Sequence, residues 1–201
     1  MNGQGTILVS DYPPATRAAP PPGPSAEALN RAFRGVMSCF PTGVAVITAQ
    51  DERSEQHGMT CTSLASVTLD PATVAVCLDC GSGTLAAVRA SGAFGLNLLR
   101  AQARGVAEIF ASPVPDRFGR VPWRPGERTG VPWLIRDACA FAECEVAGLL
   151  VVGDHAIVLG QVVRAVSRPN APLLYGNRTF AGWPPDSDLL AECAGCLPPC
   201  K

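Results

Sequence analysis

Between Gly58 and Thr68 runs an eleven-residue stretch, Gly-Met-Thr-Cys-Thr-Ser-Leu-Ala-Ser-Val-Thr, that carries no charge and places a hydroxyl or a glycine at six positions. Asp70-Pro71 then marks a turn, and the run Thr73-Val74-Ala75-Val76-Cys77-Leu78 follows, so the two segments read as a strand pair. Short hydroxyls beside closely approachable backbone suit a flat ring with a polar edge. The same pattern also describes an ordinary exposed strand face.

The rest of the chain extends that strand pairing. Residues 1–24 hold six prolines among Ala, Gly and Ser, the composition of an extended arm with little to bury. Ser25 stands as the N-cap of a helix whose Leu29, Phe33, Val36, Met37 and Phe40 recur at three- and four-residue spacing, and Pro41 and Gly43 end it. Phe33, Val36 and Met37 read as packing residues. Strand-like runs cover residues 44–49, 60–69 and 73–78, a short helix 85–90, a strand 94–98 and a helix 104–111. Residues 112–132, rich in Pro and Gly, form a long irregular excursion of the kind that carries function or moves. Strands return at 138–147, 149–152 and 156–166. Antiparallel strands with inserted helices, and no G-x-G-x-x-G after a strand, predict a mainly β closed or split barrel rather than a Rossmann fold. The organisation expected is an arm (1–24), one folded domain (25–185) and a Cys-rich tail (186–201).

Composition narrows the function classes. A hydrophobic fraction of 47% against 16% charged residues leaves apolar exterior to cover, which favours a homo-oligomer. A net charge of −1 without a basic stripe gives no footprint for nucleic acid. No apolar run approaches the ~18 residues of a membrane span, and Met1–Ser10 lacks a basic n-region, so the expected location is the cytoplasm. Nine cysteines, an odd number, argue against a disulfide framework. Cys39, Cys61, Cys77, Cys139 and Cys144 read as small core residues. Cys77/Cys80 and Cys193/Cys196 lie too far apart for a shared zinc site of the usual spacing, so no metal is assigned; Cys193 to Cys200 leave a local disulfide or metal site open.

Several segments, taken in order, carry a resemblance: Phe40-Pro41-Thr42-Gly43-Val44-Ala45-Val46-Ile47-Thr48, the 58–68 stretch, Ser82-Gly83-Thr84, Phe94-Gly95-Leu96-Asn97-Leu98-Leu99, Arg117-Phe118, and Gly153-Asp154-His155 with Gly160 and Val162. Over about residues 30 to 180 the chain resembles the short-chain flavin reductases that serve two-component flavin-dependent monooxygenases. The resemblance implies an FMN-binding split barrel and an NAD(P)H:flavin oxidoreductase. Such an enzyme passes hydride from nicotinamide C4 to N5 of FAD or FMN, and a homodimer delivers the reduced flavin to a partner monooxygenase. The flavin itself accepts hydride, so the protein has only to hold and orient.

The resemblance also assigns residues. Thr60, Thr62, Ser63, Ser66 and Val67 would border the ring and ribityl chain, with Thr62 standing where many relatives have Asn or Ser. Ser82 and Thr84 open a helix and suit a phosphate, although an ordinary N-cap has the same form. Relatives often carry Lys or Arg just before this serine; here Asp79-Cys80-Gly81 stands there, leaving Arg89 or Arg104 to supply the charge. Asn97, polar within an apolar strand, needs partners, and the resemblance puts it on the ligand side. His155 falls at the nicotinamide site as the catalytic residue, to orient the carboxamide or donate a proton towards reduced flavin, with Asp154 orienting turn or ring. His57 reads as a hairpin-tip residue without chemistry. Arg117 and Phe118 would close over the cofactor or touch a second subunit, and Tyr175 would lie near the flavin or in the core. Two rival readings are a non-catalytic flavin- or haem-binding split-barrel module and a Cys-rich metal-binding interaction protein.

Overall fold

The computed structural model describes residues 23–183, so the expected tail and nearly all of the expected arm lie outside the described residues. The chain divides into two compact units, one ending at Phe40 and the other beginning at Pro41. The first contains α1 (Ala26–Ser38), opened as its sequence predicts: the Ser25 hydroxyl accepts from the Ala28 amide at 3.2 Å. This helix buries none of its residues. Phe33, Val36 and Met37, expected to pack, are exposed together with Leu29, because a single helix has no second layer in its own unit, among the described residues, to cover an apolar stripe.

The second unit runs β1 (Thr42–Gly43), β2 (Ala45–Gln50), β3 (Gln56–Cys61), β4 (Ala65–Leu69), β5 (Ala72–Asp79), α2 (Gly83–Ser91), β6 (Ala93–Leu99) and α3 (Arg104–Ala111). A 3₁₀ turn (Phe118–Arg120) follows, then β7 (Arg124–Pro125), β8 (Pro132–Trp133), β9 (Ala138–Val152), β10 (His155–Ser167), β11 (Leu173–Gly176) and β12 (Thr179–Gly182). Seven strands form one antiparallel sheet in the order β3-β2-β6-β9-β10-β5-β4. Side-chain alternation on β2 feeds two cores from consecutive residues. Ile47 packs with Leu78, Leu85, Val88, Phe94 and Val158, whereas Val46 packs with Val44, Leu99, Phe110, Leu134 and Leu173.

Residues 60–69, expected as one strand, make two. β3 and β4 lie at opposite edges of the sheet, and the chain leaves the ladder between them. Ser63 explains the break. Its hydroxyl accepts from the Cys77 amide at 3.0 Å and donates to the Cys77 carbonyl at 3.1 Å, tying the end of β3 to β5. That link draws the two edges together and closes the sheet towards a barrel. The expected break before residue 149 is absent: β9 runs 15 residues, and β10 follows it with register shifts at Leu159/Gly160 and Val162/Arg164. β11 and β12 form a hairpin that the periodicity does not signal, with β1 added to it. The six described cysteines are free. Cys61, Cys139 and Cys144 are buried as expected, but Cys39 is exposed, since it follows the last turn of α1.

Candidate functional site

A cavity of about 590 Å³ opens between β3, the start of α2, the end of α3 and the 3₁₀ turn. Its size is that of a small-molecule pocket. Gln56, His57 and Met59 come from β3, Ser82, Gly83 and Thr84 from the α2 entrance, and Phe110, Arg117 and Phe118 from the far wall. Gly58 lets that wall close. A Cβ there would fall 2.8 Å from Phe110 Cε1 and 3.1 Å from Phe118 Cζ. Phe110 and Phe118 meet edge to face, centroids 5.1 Å apart, and Trp123 continues the cluster.

Ser82, Thr84, Arg117 and Phe118 thus line one cavity. The Ser82 hydroxyl caps α2 by accepting from the Leu85 amide at 3.1 Å and donates to the Asp79 carbonyl at 2.7 Å. Its neighbours' amides, on Gly83 and Thr84, find no acceptor among the described residues. Arg117 is not on a free flap. Its Nη1 donates to the Gly58 carbonyl at 2.8 Å and its Nη2 to the Ser112 carbonyl at 2.6 Å, so the guanidinium pins the loop to β3. Phe118 packs in the second core instead of standing exposed, because Phe110 and Trp123 enclose it.

His155 and Asp154 stand beside this cavity rather than in its wall. Gly153, at φ +61°, and Asp154 form the two-residue turn from β9 to β10. His155 pairs with Asp79 of β5, the residue whose carbonyl holds Ser82, so turn and α2 entrance share one end of the sheet. The exposed imidazole Nδ1 lies 2.7 Å from Asp154 Oδ1. That hydrogen bond, then the imidazole's charge, holds the Asp154 carboxyl below the usual range.

The 60–67 group spreads along the barrel seam. Thr60 donates to the Ala107 carbonyl at 2.7 Å and fastens α3 to β3. Thr62 is exposed in the connection that Ser63 anchors. Ser66 pairs with Val74 on the exposed edge strand, and Val67 is the extra residue of a bulge there.

Three assignments are corrected, and Tyr175 takes the core place that is one of its two expectations. Asn97 does not face a ligand: it is fully buried, its amide N–H₂ reaches the Val46 and Pro132 carbonyls and Thr48 Oγ1, and its Oδ1 accepts from the Leu134 amide at 2.8 Å. All its hydrogen-bonding capacity serves to join β2 and β6 to the 132–134 segment. Arg104 is no phosphate cation, since it pairs with Glu108 at 2.8 Å and covers the Phe180 ring at 5.6 Å. Arg89 lies in the last turn of α2, at the far end from Ser82. Tyr175 packs on Phe180, centroids 5.0 Å apart, within the second core.

Two residues escape the sequence reading. His57 is a cavity residue, its Nε2 3.1 Å from Asp51 Oδ2 across the β2–β3 hairpin. Glu143 is fully buried on β9. Its Oε1 accepts from the Glu127 amide at 3.0 Å, and its Oε2 accepts from the Arg128 amide (2.9 Å), the Thr129 amide (2.7 Å) and the Thr129 hydroxyl (3.0 Å). Burial alone would raise its pKa; the Thr129 and Arg128 amides, with the Thr129 hydroxyl and the Glu127 amide, outweigh burial and hold the carboxyl below the usual range. A lone acid in the apolar run Ala140-Phe141-Ala142-Glu143-Cys144 is the signal that could have found it. Beside it the Cys144 thiol is pushed up to about 12 by burial and by that charge. Among the described residues the one cluster of groups spaced to hold a metal is Asp51, Glu55 and His57, and it includes no cysteine.

The model of the flavin reductase like domain matches residues 37–184. A flavin reductase (NADPH) of Lentzea aerocolonigenes is 57% identical over 163 residues, 81% of this chain and 95% of its own length. The reductase subunit HsaB of a flavin-dependent monooxygenase from Mycobacterium tuberculosis is 34% identical over 171 residues, covering 84% of this chain and 90% of its own. Among solved structures, the NADH:FAD oxidoreductase SgcE6 of Streptomyces globisporus C-1027, in complex with NAD and FAD fragments, aligns with a TM-score of 0.75 at 32% identity, over 83% of this chain and 100% of that one.

Proposed function

We propose that this chain, which belongs to the flavin reductase like domain family, uses the cavity and the neighbouring Gly153-Asp154-His155 turn to bring a nicotinamide and an exchangeable flavin together. It is an NAD(P)H-dependent flavin reductase, the reductase component of a two-component monooxygenase system. Its split-barrel fold is that of solved flavin reductases. Bound flavin supplies the chemistry by accepting hydride at N5 from nicotinamide C4. The protein's share is binding, orientation and a proton.

The observation that carries this reading is that the family match encloses every residue of the cavity wall and the turn beside it. Met59, Phe110 and Phe118 offer apolar surface, while Ser82, Thr84, Gln56 and Arg117 offer polar contacts, a fit to an amphipathic flavin nucleotide. The exposed His155 ring, held by Asp154, orients the nicotinamide carboxamide or passes a proton to reduced flavin. Thr60, Thr62, Ser63, Ser66 and Val67 border the ring from the seam.

The active form is a homodimer. Leu29, Phe33, Val36 and Met37 of α1, and Leu149, Leu150, Val151 and Val152 of the β9 end, are exposed apolar residues that a second copy would cover. The enzyme works in the cytoplasm, a compartment that keeps thiols such as its six described free cysteines reduced. No helix among the described residues is long and apolar enough to cross a membrane. We take residues 25–185 as the flavin reductase-like region, of which the family model matches 37–184. Anaerobic mixing of the chain with NADH or NADPH and free FAD or FMN tests the function: the flavin should bleach, and retention of its oxidised spectrum with both nicotinamides would reject it.

A further inference from the structure

Across β6, β9 and β10 runs a second hollow, an apolar groove of about 350 Å³ that shares no lining residue with the cavity described above. Two cross-strand rows shape it. Leu96 pairs with Ala142 and Ala142 with Ala165; Leu98 pairs with Ala140 and Ala140 with Ser167. In each row a leucine on β6 gives way to small side chains on β9 and β10, and the missing volume is the groove. Apolar surface left open in this way is costly in water.

Arginines crowd the rim. Arg100 follows Leu98 by two residues, donates from Nε to the Arg136 carbonyl at 2.8 Å and stands 3.6 Å from Asp137 Oδ1. Arg168 follows Ser167 and donates from Nη1 to the Ile135 carbonyl at 2.8 Å. Arg136 and Arg168 are exposed, and neither meets a carboxylate among the described residues. Asp137 alone answers these three cations there.

The described chain ends at this rim. The Trp183 amide donates to the Pro172 carbonyl at 3.2 Å, and Pro172 is bridged to Arg100. The residues that follow read Pro-Pro-Asp-Ser-Asp-Leu-Leu-Ala-Glu, with acids at 186, 188 and 192, leucines at 189 and 190, and no basic residue before Lys201. Six residues separate Leu189 from Trp183, a reach of up to ~20 Å, whereas Leu98 lies only about 7 Å along the strand from Arg100.

We propose that the groove is the docking site for the chain's own segment 186–192, with Asp186 and Asp188 on the arginine rim and Leu189 and Leu190 in the apolar hollow. Charge and apolarity match in the order in which the chain would lay them down. The segment is tethered at the rim, so it holds a local concentration that no separate chain matches. The other apolar element in need of cover, α1 of a second copy, suits the groove less well: it carries Arg31 and Arg34 against the single acid Glu27 and would bring cations to a cationic rim.

Hydrogen–deuterium exchange of the full chain, read by mass spectrometry, tests the docking. In the wild type the amides of 186–192 should exchange about tenfold or more slowly than those of a free peptide of that sequence. Leu189→Asp should return them to the peptide rate. So should Ala165→Glu, which fills the groove from an exposed position with the charge the rim segment itself carries. Arg136→Glu should speed their exchange about two- to fivefold. Wild-type protection of β9 and β10 in each variant shows that it folds. Added salt should loosen the segment in the wild type, where no variant is needed. Exchange of 186–192 at the peptide rate in the wild type overturns the docking. Protection that survives Ala165→Glu places the segment elsewhere, and protection lost on dilution places it on a second copy; either result overturns the seat within its own chain.

Discussion

Glu143→Gln keeps the shape of a buried side chain and removes its charge, and the structure sets the cost. The Glu143 carboxylate receives four donors, one at Oε1 and three at Oε2. A glutamine can turn its one carbonyl oxygen to the three-donor side, which leaves its N–H₂ facing the Glu127 N–H. That bond is lost outright and leaves a part-buried amide unmatched, about 1–3 kcal/mol. The three surviving bonds lose charge assistance, and Arg164, 3.8 Å away, loses an anion but keeps Glu127 at 2.9 Å. A net loss of about 3 kcal/mol follows, roughly a quarter of the stability of an ordinary domain. For a chain of this size that lowers Tm by about 6–12 °C. The pH dependence has a defined sign. Folded Glu143 has a depressed pKa, so the unfolded chain binds its proton more readily. Its stabilisation is complete above the ordinary carboxyl value near ~4.3 and is lost as pH falls through the folded value. Thermal and urea unfolding at neutral and acidic pH should show the wild type well ahead at neutrality and the gap narrowing in acid. A Tm change below about 2 °C at neutral pH, or a gap that acid leaves intact, would mean that the Glu143 charge does not stabilise the fold.

Three further outcomes are expected. His155→Ala should lower kcat/KM for the nicotinamide about ten- to a hundredfold with little change in flavin affinity, as steady-state kinetics beside flavin titration will measure; weakened flavin binding at unchanged nicotinamide parameters would contradict it. Asn97→Ala should cost about 2–4 kcal/mol of stability in urea unfolding, because three acceptors and the Leu134 amide lose their partner, and flavin affinity in the folded fraction should stay near wild type. Light scattering should give twice the 20.9 kDa chain mass, with Phe33→Glu shifting the chain towards monomer; a fully active wild-type monomer would refute the dimer.

Much of this was readable in the residues, for identifiable reasons. α3 has the bounds its apolar spacing predicts, and Ser25 and Ser82 cap their helices because a short hydroxyl before an apolar run satisfies orphan amides. The split of residues 60–69 was hidden, since the Ser63 clamp on Cys77 is a contact between strands that only the closed sheet brings together. Asn97 misled for a related reason. A buried amide announces that it needs partners, but not whether they are ligand atoms or the Val46, Pro132 and Leu134 backbone. His57 gives no signal in the sequence because its neighbour Gly83 comes beside it only when β3 packs against α2.

Reduction of free flavin by NAD(P)H on this chain is measured by anaerobic stopped-flow absorbance. Wild-type protein mixed with NADH or NADPH and added FAD or FMN should bleach the flavin with nicotinamide oxidised in equal amount. The rate should rise with flavin concentration and saturate, as for a bound substrate that exchanges. A flavin spectrum unchanged beyond the protein-free control with both nicotinamides would contradict the account.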